Sequence, residues 1–165
     1  MVVLNPDEPA GELPAWARDV VGGAAVRVVA PRRGWTRKNP PNTVERSYAL
    51  LGTTVDAERV WDVRAALRAD GRSWRLAGRG PAGILAAYAA LLEPDRAASL
   101  TLVEPPASHR EGPHFLGVLR ALDIPDALGA LAPRPLTLVG ARDPAFDRTL
   151  EVYRAAGAVD RIERR

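Results

Sequence analysis

The stretch Trp74-Arg-Leu-Ala-Gly78-Arg-Gly80-Pro81-Ala-Gly83-Ile-Leu-Ala-Ala-Tyr88-Ala-Ala-Leu-Leu92 decides how this chain folds. Trp74 to Ala77 has the apolar content of a short strand. Gly78 to Gly83 is a glycine-rich turn, and Pro81 to Leu92 is an Ala-rich, almost wholly apolar helix of the kind that packs deep in a domain. A strand that turns sharply into a buried helix is the repeating unit of a parallel sheet with helices on its faces.

Working outward, the same alternation recurs along the whole chain. Upstream, Val2 to Leu4 reads as the first strand and Leu13 to Val21 as a helix stopped by Gly22-Gly23. Ala25 to Ala30 is the second strand, closed by Pro31. After a loop through Asn39-Pro40-Pro41-Asn42, Thr43 to Leu51 carries Val44, Tyr48 and Leu51 at helical spacing. Thr54 then has the character of an N-cap. Asp56 and Glu58 load the first turn that follows, and Val60, Trp61, Val63, Ala66 and Leu67 form a stripe expected to be buried, up to Asp70-Gly71. Downstream, Leu100 to Val103 is the fourth strand. Phe115 to Leu122 and Asp126 to Leu131 read as a helix broken at Pro125. Pro135 to Val139 is the fifth strand, Ala145 to Ala156 a helix stopped by Gly157, and Arg161 to Arg164 the start of a sixth strand. The expected fold is α/β: a three-layer, doubly wound, mostly parallel sheet of five or six strands in the order 2-1-3-4-5(-6). One domain, residues 1–165, accounts for all of it.

Composition narrows the function classes. A chain of 165 residues buries roughly 70% of its unfolded surface, and 47% hydrophobic with 26% charged residues excludes a disordered or collagen-like chain. No apolar run is long enough to span a bilayer. With no cysteine, disulfides, thiolate metal ligands and a cysteine nucleophile are all excluded. Met1-Val-Val-Leu-Asn-Pro6 lacks the basic start and long apolar stretch of a secretory signal, so a cytoplasmic location is expected if the chain is complete. The net charge is only +3 and Lys38 is the sole lysine. Pro31-Arg32-Arg33-Gly34-Trp35-Thr36-Arg37-Lys38 is the one basic concentration. With aromatics at 5% there is little to stack bases, so a solvated rim loop is expected there and not a nucleic-acid site.

In open α/β sheets, ligands gather beyond the carboxyl ends of the strands, so the residues after each strand carry the functional reading. Gly78, Gly80 and Gly83 satisfy G-x-G-x-x-G, and Glu104 closes the next strand about 20 residues on, where a ribose-binding carboxylate is expected. This run is similar to the FAD-binding fingerprint of flavoproteins and defines one alternative, a dinucleotide (FAD or NAD) module. Against it, two complete βα units precede the motif, whereas such a fingerprint normally opens its domain.

The same turn also reads as a nucleophile elbow, G-x-S-x-G, with Gly78 at the first glycine, Gly80 at the serine and Ala82 at the second glycine. Two further stretches resemble the acetylxylan esterase, dienelactone hydrolase and S9-peptidase branch of the α/β-hydrolases. Leu131-Ala-Pro-Arg-Pro-Leu-Thr-Leu-Val-Gly-Ala-Arg-Asp143-Pro144 resembles that branch's acid-bearing strand and turn. Glu151-Val-Tyr-Arg-Ala-Ala-Gly157-Ala-Val-Asp-Arg-Ile162 resembles the helix and strand that lead to its histidine. The resemblance covers nearly the whole chain as the C-terminal half of that fold. It implies acyl transfer to water by a Ser-His-Asp triad, with Asp143 at the acid position and Gly80 at the nucleophile.

The departures decide the activity expected. Gly80 has no hydroxyl to attack a carbonyl. Pro81 lacks the backbone N–H that supplies one oxyanion donor, and losing one donor costs about 10² to 10³ in rate. The sequence stops before the loop where the family's histidine lies, and His109 and His114 both precede Asp143 in the chain. Without a histidine to orient, Asp143 reads on this chain as a turn carboxylate, an N-cap or Asx turn leading into the last helix, ahead of a catalytic acid. Ser108 and His109, being adjacent, do not reach each other in hydrogen-bond geometry. A polar cleft of Arg79, Glu104, Ser108 and His109 is the sharper expectation. No ligand set for a metal appears, no cofactor is implied by the main reading, and the first βα loop, Asn5 to Pro9, carries no oxyanion or phosphate signature. Partners expected are an N-terminal hydrolase half or further copies of the chain covering an open sheet edge; no nucleic acid and no membrane.

Overall fold

A computed structural model describes residues 1–33 and 43–165; the basic stretch beyond Arg33 and the Asn39–Asn42 loop lie outside the described residues. Six strands form one all-parallel sheet in the order β2-β1-β3-β4-β5-β6. They are β1 (Val2–Val3), β2 (Val28–Val29), β3 (Trp74–Arg79), β4 (Ala97–Val103), β5 (Leu136–Val139) and β6 (Ile162–Arg164). The helices are α1 (Ala15–Val21), α2 (Thr43–Leu50), α3 (Val55–Arg68), α4 (Pro81–Leu92), α5 (Ile124–Gly129) and α6 (Asp147–Ala155). Order and direction are those expected. Among the described residues no helix is long and apolar enough to cross a membrane.

Local chemistry explains most element boundaries. Thr54 caps α3 as expected, its Oγ1 accepting from Ala57 N at 3.0 Å. Gly22, at φ +57°, closes α1 in the left-handed conformation. Pro125 does not interrupt a helix. It lies in the first turn of α5, where its missing N–H leaves no intrahelical bond unmade, and Asp123 caps that turn. Before it, only a 3-10 turn at Val118–Arg120 forms. Trp61 is also corrected: it is 52% exposed and lies under the Arg64 guanidinium at 4.0 Å, outside the buried stripe of Val60, Val63 and Leu67.

The core lies mainly on one side of the sheet. Leu76, Leu100, Leu102, Leu136 and Leu138 point into it, against Val63 and Leu67 of α3, Ile84 and Leu85 of α4, Leu128 of α5 and Tyr153 of α6. The opposite face carries a smaller cluster of Val2, Leu4 and Ala77 under Ala17 of α1. That cover is narrow. Paired register puts Thr101 and Thr137 on the same face as Ala77, yet they and Ser99, Val103 and Val139 are half-exposed. The sheet is therefore three layers deep near β1 and β3 and thins toward β6.

Candidate functional site

The strand order reverses between β1 and β3, so the loops after these two strands flank the crevice where α/β sheets hold ligands. The loop after β3 is a sharp strand-to-helix turn. Gly80 sits at φ +55°, ψ −135°, a region essentially reserved for glycine. A Cβ on Gly78 would lie 2.6 Å from Gly83 N, and one on Gly83 would lie 2.9 Å from Gly78 O. These two glycines are required by the close passage of α4 across the end of β3. Gly80 is different, because a Cβ there meets nothing within 4 Å. Its side-chain position is open, and only its backbone angles favour glycine.

The first donors of α4 are engaged within the chain. Gly80 N donates to Val103 O at 2.8 Å and Gly83 N to Gly80 O at 3.1 Å. Pro81 has no N–H. Ala82 N donates to the side-chain Oδ1 of Asn5 at 3.0 Å, while Asn5 Nδ2 donates to Arg79 O at 3.0 Å. Asn5, the second residue past β1, thus bridges the two ends of the turn. Glu8 holds Asn5 in turn: its Oε2 accepts from Asn5 N at 2.6 Å and its Oε1 from Trp16 Nε1 at 2.7 Å. An anion placed at this helix end would have to displace Asn5 to reach the Ala82 N–H.

Beside the turn lies a cleft of about 420 Å³ lined by Asn5, Asp7, Pro81, Asp56, Arg59 and His114 among others. Its outer wall is the loop after β4, docked on the start of α3. Asp56 Oδ2 accepts from His114 N at 2.7 Å, and Thr54 Oγ1 donates to His114 O at 2.6 Å. Arg59 pairs with Asp56 Oδ1 at 2.6 Å and also donates to Arg32 O at 2.9 Å.

The four residues expected to share one polar cleft divide into two groups. Arg79 donates from Nε and Nη2 to Glu104 Oε2 at 2.8 and 2.7 Å, with side chains 48% and 57% exposed. Such a solvated pair contributes little. Glu104 has φ +47°, the one non-glycine residue in the left-handed region among those described. Ser108 and His109 turn the other way, into the protein. Ser108 Oγ donates to Asp123 Oδ2 at 2.6 Å, and His109 N and Ile124 N both donate to Asp123 Oδ1 at 2.8 Å. Burial pushes the Asp123 carboxyl up, but these three hydrogen bonds and the proximity of His109 outweigh it and hold the group below the usual carboxylate range.

His109 is 3% exposed and both ring nitrogens are occupied. Nδ1 lies 2.7 Å from Pro113 O and Nε2 lies 2.8 Å from Tyr88 Oη. A carbonyl only accepts, so Nδ1 carries a proton toward Pro113 O, and Nε2 shares its hydrogen bond with the Tyr88 hydroxyl. Phe115 packs against both rings, tilted at 4.7 Å from Tyr88 and edge-on at 5.3 Å from His109. Burial, and then the Asp123 charge, push the Tyr88 hydroxyl up to about 12. His109 is thus a structural pin between α4 and the loop after β4.

Asp143 caps a turn: its Oδ1 accepts from Ala145 N at 2.8 Å ahead of α6, and its carbonyl accepts from Arg164 Nη2 at 3.1 Å. Among the described residues no group of three His, Asp or Glu side chains is placed to hold a metal ion. Three residues that shape the site, Asn5, Asp123 and Tyr88, were not singled out from sequence. Asp123 had a readable signal in Asp-Ile-Pro, a cap followed by an early helical proline. Asn5 had only its place directly after a strand end. No family model, no curated protein and no solved structure matches this chain.

Proposed function

We propose that this chain is an α/β-hydrolase-type domain of the esterase and peptidase kind that has lost acyl transfer and keeps its carboxyl-end cleft as a binding surface. The observation that carries the reading is Gly80: a turn at φ +55°, ψ −135° between a central strand and a buried helix, with an open Cβ position and proline next in sequence. That is the geometry of a nucleophile elbow, with the nucleophile and the following oxyanion N–H both absent. The elbow after the third strand and the Asp143 turn after the fifth fit the C-terminal half of that fold. The second oxyanion donor would come from the first βα loop, and there Asn5 N is taken by Glu8. The engaged donors at the start of α4 favour this reading over a dinucleotide cradle, which needs those N–H groups for a pyrophosphate.

The test is hydrolysis of p-nitrophenyl acetate by the purified chain. No turnover above that of an unrelated protein is expected, and Gly80→Ser alone does not create it, because Pro81 still lacks a donor. Turnover that disappears on Ser108→Ala overturns the reading, since it would place a working nucleophile in the Ser108–Asp123 pair.

A further inference from the structure

The loop after β4 encloses a second hollow, separate from the cleft beside the elbow. Phe115, Val118, Leu119 and Arg120, with the rings of His109 and His114, line a pocket of about 310 Å³, at the low end of the range for small-molecule sites. Its walls are held in place. Tyr88, His109 and Phe115 form a cluster of three rings with centroids 4.7 to 5.5 Å apart. The turn that follows is tied by Arg120 N to Gly117 O and by Leu122 N to Val118 O, both at 3.0 Å. Asp56 and Thr54 clamp the backbone of His114 on the start of α3. A pocket so fixed needs little ordering when a ligand enters.

The lining is mostly apolar. Phe115 and Val118 are half-buried and Leu119 is 48% exposed, and His109 presents ring carbon because both its nitrogens are engaged, with Pro113 O and Tyr88 Oη. No carboxylate lines the pocket, whereas Arg120 does. Among the described residues no hydrogen bond or ion pair engages the Arg120 guanidinium. Asp123, three residues on, is already taken by the Ser108 hydroxyl and the His109 and Ile124 N–H groups. A Cβ on Gly117 would come 4.0 Å from Arg120 Cδ, so the stem of this arginine lies back along the turn that borders the pocket. The His114 imidazole is also without a partner among the described residues, and an imidazole always has at least one N–H to donate. Unused donors therefore border an apolar hollow that holds no negative charge.

We propose that this pocket binds a small aromatic monocarboxylate, its ring against Phe115, Val118 and Leu119 and its carboxylate on the Arg120 guanidinium. The rings in the wall suit a flat aromatic body, which packs edge-to-face against them and has little rotamer freedom to lose. The planar guanidinium fork matches a carboxylate through two parallel N–H···O bonds. One formal positive charge balances a monoanion, whereas a phosphate ester carries nearly two negative charges. Size sets the rest. At about 30 Å³ for each water-sized group the pocket has room for about ten non-hydrogen atoms, which is one ring and a short acid. A ligand that small, with Leu119 and Arg120 open to solvent, is expected to bind with a Kd of about 0.1–1 mM. Neither Gly80 nor the Asn5 bridge contributes to this pocket, so it stands whether or not the elbow reading does.

Titration of the isotope-labelled full chain with phenylacetate, followed by amide chemical shifts, tests it. Saturable shifts centred on Phe115 to Arg120 are expected. Phenylacetamide, neutral and of the same shape, binds at least about fivefold more weakly. Arg120→Ala weakens phenylacetate by a similar factor and leaves phenylacetamide unchanged. It also leaves Tm unchanged, because the guanidinium holds nothing else in the described chain. Leu119→Glu, at a half-exposed position, sets a carboxylate in the apolar wall and weakens phenylacetate at least as much. Arg154→Ala, at an exposed and equally unpartnered arginine of α6, has no effect. Absence of saturable shifts up to about 20 mM, equal binding of acid and amide, indifference to Arg120→Ala, or shifts centred on Asn5 to Asp7 instead of Phe115 to Arg120 overturns the proposal.

Discussion

Replacing Gly78 by alanine tests whether the strand-to-helix turn depends on contact between its glycines or only on the angles of Gly80. The new Cβ would lie 2.6 Å from Gly83 N, 2.7 Å from Gly83 Cα and 2.8 Å from the Ala82 carbonyl carbon. All three are backbone atoms, so no side chain can swing away, and α4 must back off β3 by about 0.8 Å to reach ordinary contact. That movement reaches a core in which Ile84, Ala86, Ala87, Ala89 and Ala90 are fully buried. Overpacking of this kind costs about 1–3 kcal/mol, and the rigid backbone on both sides argues for the upper figure. The backbone of Gly78 is not in the left-handed region, so alanine recovers about 0.4–1 kcal/mol from the unfolded chain. A net loss of about 2–2.6 kcal/mol remains, or roughly 4–10 °C in Tm for a domain of this size. The control is Gly80→Ala, whose Cβ meets nothing within 4 Å, so only backbone strain of about 1–3 kcal/mol applies and α4 need not move. Urea unfolding followed by circular dichroism measures both. If Gly78→Ala costs less than about 1 kcal/mol, close approach is not what this turn requires.

Two further outcomes are expected. Asn5→Ala removes the acceptor for Ala82 N and the donor to Arg79 O; it should cost about 1–2 kcal/mol in urea unfolding, like the loss of a helix cap, and a loss under about 0.3 kcal/mol refutes the bridging role. Burial raises the Tyr88 hydroxyl to about 12 and the Tyr153 hydroxyl further still, whereas in the unfolded chain both ionise near 10. The unfolded state therefore gives up these protons first, and the stability they contribute, fully present below pH 10, is lost progressively as pH rises toward 12. Tyr88→Phe should flatten that alkaline decline in a pH series of melting curves; an unchanged slope refutes the burial argument.

Where local chemistry and tertiary packing agree, the fold was legible in the residues. Thr54 caps, Gly22 stops its helix, and the strand order is the one expected from the βα alternation and the resemblance. The misreadings have physical causes. Pro125 reads as a breaker because a proline is ambiguous until its cap is found, and Asp123 is that cap. Trp61 has the right period for the buried stripe, but an amphipathic ring also satisfies itself against Arg64 at the surface. Ala25 to Ala30 reads as a full strand, yet only Val28 and Val29 pair, since this edge has a neighbour on one side alone. The site was less legible than the fold. That Gly80 bends the chain could be read from its neighbours, whereas nothing local says that Asn5, 77 residues from Ala82, holds that turn, or that His109 points inward to Tyr88.

The two changes that remove acyl transfer from the proposed elbow both act in the direction of stability. A serine at φ +55°, ψ −135° must be held against about 1–3 kcal/mol of backbone strain, which an enzyme tolerates because the attacking hydroxyl needs that position. Glycine adopts the same angles without that strain. Proline at the first helical residue gives up an N–H that makes no intrahelical bond and gains a preset φ; the same N–H is what an oxyanion would have used. The Asn5 side chain extends the pattern, placing a neutral acceptor on Ala82 N where a catalytic site would leave room for developing charge. Once no reaction has to be supported, strain and unpaired donors have nothing to offset them, and the sequence expected at such a turn is glycine, proline and a capped helix. On the proposed reading, Gly80, Pro81 and Asn5 are that sequence, and their combined effect is a turn that keeps the shape of an active site and is more stable for having lost its chemistry.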